Sequence, residues 1–304
     1  MLFGLILVLG CGLPFSVQAR DSVQQPLFDS FIAVDERFLD ARQIDAARAG
    51  FESLVRQASS CKALPTPGQD RARCVVDSLF ASDQLVTVAE PGEPGSSTVT
   101  SALVDRRGNC AALTALVLAV AERVGVPMSA VVFPQHVVVR ARGNDDEVFE
   151  LLSRGSAMSM TQLRRRLGAG GASHTDVRPN AFLAYYVDNL AVRFADAGDA
   201  PRAEAMFEGA VDAGARVARV RFNYGTFLLG TDRLESAKDQ LRRAVRLDSR
   251  NAPAWANLGV TLARLGKTDE ARRCFERALR VDSGNRIAAE NLKTLGRDGP
   301  AHRP

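Results

Sequence analysis

The stretch "DRRGNC", residues 105–110, brings one thiol, Cys110, to the start of an apolar run from Ala111 to Val124. A helix start offers unpaired backbone N–H groups and the positive end of the helix dipole, and both favour a thiolate. His136 follows "FPQ", and Glu150 lies 14 residues beyond it. Thiol, imidazole and carboxylate, in that order, are the parts of a cysteine nucleophile, its base and the group that orients the base. Such a set attacks an amide or ester carbonyl. Each residue also has a plainer use. A cysteine on an apolar helix packs well, a strand histidine can be structural, and Glu150 can pair with Arg140 or Arg154. Order and spacing together make Cys110, His136 and Glu150 the candidate catalytic set.

The elements that must hold these residues are readable from periodicity. Ala111 to Val124 has helical length and almost no polar side, so it predicts a central buried helix with Asn109 as its N-cap. After Pro127 the pattern changes to β-branched and aromatic runs, "SAVVF", "HVVVRAR" and "EVFELL". "GNDD" at 143–146 separates the last two, so they predict an antiparallel hairpin. Its register decides whether Glu150 can serve His136, because side chains alternate along a strand. Pairing Arg142 with Glu147 sets Glu150 opposite Val139 and away from His136. Pairing Arg142 with Val148 sets it opposite Arg140 and on the same face.

Upstream, residues 26–59 read as two helices, Gln69 to Ala81 as a third, and Thr98 to Val104 as a short fourth. "AEPGEPGSS" at 89–97 reads as a loop. Residues 156–180 read as a connector with a short basic helix and a Gly-rich break, and the domain boundary is expected there. Cys61 and Cys74 flank the turn-rich "KALPTPGQDRAR" and could close a small disulfide loop. Met1 to Leu9 is apolar and too short to span a bilayer. "SVQA" at 16–19 suits cleavage after Ala19, and "VLGC" at 8–11 suits a lipid on Cys11. Either reading exports the chain to a periplasmic or cell-envelope location in a bacterium, where disulfides persist.

The C-terminal third repeats itself. Asn189, Asn223, Asn257 and Asn291 are 34 residues apart, as are Ala203, Ala237 and Ala271, and Ala210, Ala244 and Ala278. Phe207, Leu241 and Phe275 fill another matching column. A 34-residue helix–turn–helix period is the tetratricopeptide signature. Three units over 181–296, closed by a capping helix, are expected to form an all-α solenoid whose concave face takes a protein or peptide partner. Residues 297–304 read as a disordered tail.

The formal net charge is +4 over 304 residues, and lysine occurs only at 62, 238, 267 and 293. No basic cluster alternates with aromatics, so nucleic acid is not an expected partner. The arginines at 164–166 read as a solvated helix face. No Gly-rich phosphate loop is present, and no second Cys or His stands at metal-ligand spacing from Cys110 and His136, so no cofactor or metal is expected.

"DRRGNCAALTALVLAVAERVGVPMSAVVFPQHVVVRA", followed by "FELLSRG", resembles the transglutaminase-like superfamily, a papain-like cysteine fold. The closest branch is the SirB-type domain fused to tetratricopeptide repeats. The resemblance covers roughly residues 70–295 and is most specific over 106–140. It implies an α+β transglutaminase-like domain over 26–155, then the all-α repeat solenoid, with Cys110, His136 and Glu150 as the catalytic set. One departure stands out: the family's acidic strand reads like Asn-x-Glu-Thr-Thr, whereas "VFELLSRG" keeps the carboxylate without those polar neighbours. Two functions follow as expectations. One is a cysteine peptidase, amidase or acyltransferase. The other is a non-catalytic repeat scaffold that carries a degenerate domain.

Overall fold

The computed structural model describes residues 25–65, 68–80, 86–87, 97–133, 136–143, 146–168, 174–214 and 216–297. The expected export signal at 1–19, nearly all of the 89–97 loop and the tail from 298 lie outside these residues.

Four helices prepare the ground for the central one. α1 (Leu27–Asp35) and α2 (Ala41–Ala58) follow each other closely, and Asp40 opens α2 with a capping box to Gln43. α3 (Gln69–Phe80) and α4 (Val99–Val104) come next. A disulfide joins Cys61, in a short 3-10 turn, to Cys74 on α3. Val86–Thr87 (β1) pairs in parallel with Arg107–Gly108 (β2), immediately before α5 (Cys110–Val124). From Ala111 to Ala121 every α5 side chain is buried. A helix apolar on all sides must be enclosed on all sides, and α1 to α4 do part of that work.

A five-stranded antiparallel sheet encloses the rest. Its strands are β3 (Met128–Val132), β4 (Val137–Ala141), β5 (Glu147–Glu150), β6 (Ser156–Ser159) and β7 (Thr175–Val177), in the order β6-β5-β4-β3-β7. One face, with Ala130, Val139 and Phe149, joins the core around α5. The other, with Val131, Val138 and Val148, is covered by Met160 and Leu163 of α6 (Met160–Leu167). Arg164, Arg165 and Arg166 face solvent.

Two expectations are corrected here. The segment 156–180 is not a plain connector: it supplies both edge strands, β6 and β7, and the helix that covers the outer face. These strands are short and polar on one side, so they carry little hydrophobic alternation to read. The hairpin also adopts neither anticipated register. Val139 pairs with Phe149, which sets Glu150 opposite Val138. The turn is thereby shorter than either alternative required, yet Glu150 stays on the side of the pleat that leads to His136.

The repeats follow as α7 (Pro179–Asp196), α8 (Ala200–Ala213), α9 (Ala218–Gly230), α10 (Leu234–Leu247), α11 (Ala252–Arg264), α12 (Thr268–Val281) and α13 (Arg286–Arg297). The helices pack in antiparallel pairs. A Cβ on Gly259 would sit 2.5 Å from the Phe275 ring, so only glycine lets α11 and α12 approach this closely. Helix α7 has a second role. It packs on α5 and α1, and the buried Tyr186 hydroxyl donates to Asp35 at 2.6 Å while accepting the Val99 N–H at 2.9 Å. The solenoid therefore grows directly out of the first domain's core. Among the described residues no helix is long and apolar enough to cross a membrane.

Candidate functional site

The site lies where α5 begins, β4 begins and β5 ends. Asn109 is extended (φ −82°, ψ 175°), and its Oδ1 accepts the Ala112 N–H at 2.9 Å, so it caps α5 as expected. Gly108 is needed beside it, because a Cβ there would press on Leu113 at 3.0 Å and on Ala102 at 3.2 Å. Cys110, the first helical residue, is half-buried and has no disulfide partner.

His136 stands one residue before β4. Its carbonyl accepts the Phe133 N–H at 2.8 Å, which closes the turn between β3 and β4 and presents the ring at the sheet end. The imidazole Nε2 lies 2.6 Å from Glu150 Oε2, and the two side chains are only 11% and 3% exposed. The other Glu150 oxygen accepts the Leu152 N–H at 3.0 Å. With Nε2 taken, Nδ1 is the nitrogen left for Cys110, which lies near enough to raise the pKa of the same imidazole. The structure thus brings together all three residues named from the sequence. Arg140, an alternative partner for Glu150, is engaged by Asp176 at 2.7 Å instead.

The electrostatics follow from this packing. Burial alone would lower the His136 pKa. The Cys110 and Glu150 hydrogen bonds and the Glu150 charge outweigh it and raise the ring to about 9. Burial would raise Glu150, but the His136 bond and charge, the Leu152 N–H and the Arg166 charge hold it below its ordinary value. Imidazolium and carboxylate are thus the favoured forms at neutral pH. Among the described residues no group of three or more His, Cys, Asp or Glu is placed to hold a metal ion.

Two further residues reach the site from the repeats, and the sequence did not single them out for it. Asn189 on α7 accepts a hydrogen bond from Asn109 Nδ2 at 3.1 Å, so the cap residue of α5 is held from both sides. Arg219 on α9 pairs with the fully buried Asp188 at 3.2 Å and donates to the Phe133 carbonyl at 3.5 Å, at the turn that carries His136. Burial pushes Asp188 up despite Arg219 and Asn223, whose side-chain amide donates to both its oxygens at 3.0 and 2.8 Å. Asn189 and Asn223 were visible only as repeat columns. That these columns meet the first domain depends on how α7 docks.

The comparisons agree with this division. A family model described as transglutaminase-like superfamily matches residues 45–193, and tetratricopeptide-repeat models match 189–253 and 252–285. The matches overlap within α7, the helix shared by both parts. No curated protein matches significantly. Several solved structures resemble part of the chain. The first tetratricopeptide domain of Spaghetti (RPAP3), bound to an HSP90 peptide, is 19% identical with TM-score 0.37, covering 38% of this chain and 91% of that one. The second such domain of human RPAP3, in complex with an HSP70 peptide, is 26% identical with TM-score 0.36, covering 37% and 94%. MamA is 18% identical with TM-score 0.37, covering 46% and 74%. This chain carries a domain of the transglutaminase-like superfamily, followed by C-terminal tetratricopeptide repeats.

Proposed function

We propose that the chain is an exported cysteine enzyme acting on amide or ester bonds of peptide or protein substrates, with Cys110 as nucleophile. The observation that carries this reading is the shared imidazole: Nε2 on the Glu150 carboxylate at 2.6 Å, with the free thiol of Cys110 near enough to raise the pKa of the same ring. Cys110 sulfur forms a bond to the substrate carbonyl carbon, and the carbonyl π pair moves onto oxygen. The Cys110 backbone N–H, first in its helix and without an intrahelical acceptor, faces that oxyanion. The oxyanion collapses, the leaving amine or alcohol departs with a proton from His136, and a thioester remains. Water then makes the enzyme a hydrolase, or an amine makes it an acyltransferase. In either case His136 takes a proton from the incoming nucleophile and Glu150 holds the ring in orientation throughout.

The repeats recruit a protein partner on the face formed by their first helices, which begins at Asn189 beside the nucleophile. The Cys61–Cys74 disulfide supports an oxidising, extracytoplasmic location, reached through a cleaved leader or a lipid on Cys11. The rival reading, a scaffold with an inert domain, lacks an explanation for the Glu150–His136 pair next to a free thiol.

Alkylation by iodoacetamide tests the proposal. Cys110 should react readily at pH 6, and His136→Ala should slow that reaction at least ~10-fold while leaving the rate at pH 10 nearly unchanged. Glu150→Gln should have a smaller effect in the same direction. A Cys110 that is inert, or equally reactive in His136→Ala across the range, overturns the enzyme reading.

A further inference from the structure

We propose that a groove on the second-helix side of the last two full repeats docks an acidic peptide segment carrying an apolar side chain. This site does not depend on any chemistry at Cys110.

The groove is a recess of about 420 Å³ between α10, α11 and α12. Its rim carries Arg242, Arg246, Arg273, Arg277 and Arg280 against one carboxylate, Glu270. That excess of four positive charges equals the formal net charge of the entire 304-residue chain. The rest of the chain carries equal numbers of acidic and basic residues. Glu270 is already paired with Arg242 at 2.8 Å. Arg246, Arg273, Arg277 and Arg280 form no ion pair with a carboxylate among the described residues. Four guanidinium groups around one opening repel each other and favour a ligand with several negative charges.

The floor is of opposite character. Its apolar lining is Val245, Trp255, Leu258 and Leu262. Leu258 and Leu262 are 3% and 1% exposed, so Trp255 supplies most of the apolar surface that a ligand can reach in the recess. A flat bilayer surface cannot descend to it, whereas one side chain of a bound segment can. A peptide with acidic residues flanking a leucine or phenylalanine satisfies both rim and floor. The groove also contains Cys274, but burial, and then Glu270, push that thiol up to about 11. It is protonated at neutral pH, and the site is one for binding rather than for reaction.

Trp255 is the sole tryptophan of the chain, so its fluorescence reports the groove directly. The full chain is titrated with a synthetic decapeptide of glutamates and aspartates around one central leucine. A saturable emission change is expected. It should weaken steeply as salt rises from about 50 to 500 mM. It should weaken ~10-fold when the central leucine is replaced by alanine, and at least ~10-fold in Arg273→Glu/Arg277→Glu. Circular dichroism melting verifies that the double variant is folded, and the salt series on the unmodified chain stands even if it is not. The proposal is overturned by any of three results: no saturable change up to about 1 mM peptide, binding indifferent to salt and to both arginines, or a Trp255 response to phosphatidylglycerol vesicles with none to the peptide.

Discussion

His136 and Asp35 are both buried titrating groups with raised pKa values, one through its partners and the other through burial, so both lose stability as pH rises but in different windows. His136 is raised to about 9 by Cys110 and Glu150 against the pull of burial. Its folded value exceeds the unfolded one of about 6.5, so its contribution is full below pH 6.5 and is lost as pH rises through 9. Asp35 is raised to about 6, by burial first, against hydrogen bonds from Tyr186 and Thr100. The folded state binds its proton more tightly than the unfolded chain does. Stability contributed by that proton is therefore full below about pH 4 and lost as pH rises to 6. Urea unfolding at pH 6.5 and 9.5 should show the unmodified chain losing on the order of 3 kcal/mol more than His136→Gln. Between pH 4 and 6.5, Asp35→Asn should remove a loss of similar size. Equal pH slopes in variant and parent would contradict either assignment.

At the scale of elements, the contact between α7 and the start of α5 makes a specific demand. Asn109 spends its oxygen on the Ala112 N–H and its amide on Asn189. Asn189→Ala should leave the cap intact, lowering the melting temperature only slightly, yet loosen the first turn that carries Cys110. The expected outcome is a ~3- to 10-fold change in the pH 6 alkylation rate. In an Asn109→Ser background, where the hydroxyl still caps but the amide is gone, Asn189→Ala should add nothing. Additive effects in that double-mutant cycle would mean that Asn189 acts by another route. How legible these elements were varied with their hydrophobic signal. Helix α5 and strands β3 to β5 were readable because their burial is nearly complete. Strands β6 and β7 were not, because "SAMS" and "TDV" fully bury only Val177 and gain their identity only from the neighbours they pair with. The β4–β5 register was likewise undetermined, since a shift of two residues leaves the inward set unchanged in kind.

For the whole molecule, the repeats are continuous with the first domain. Tyr186 on α7 completes the Asp35 cluster, and Arg219 on α9 reaches the turn before His136. A chain ending at Arg178 should therefore lose cooperative unfolding, because Asp35 and the α1–α5 face would be left uncovered. One ending at Gly230, which retains α7, α8 and α9, should still unfold cooperatively and keep a reactive Cys110. Calorimetry together with alkylation checks both. Equal stability of the two truncations would show that the domain is self-sufficient without α7. Sequence alone determined the two-part architecture, the 34-residue period and the three residue types at the site, because these rest on local periodicity and on chemistry written in residue identity. Only the tertiary structure decided that Glu150 meets His136, that 156–159 and 175–177 belong to the sheet and that Asn189 grips the cap of the helix that carries Cys110. These are contacts between distant segments, and their geometry depends on which register and docking bury the most apolar surface with every polar group paired.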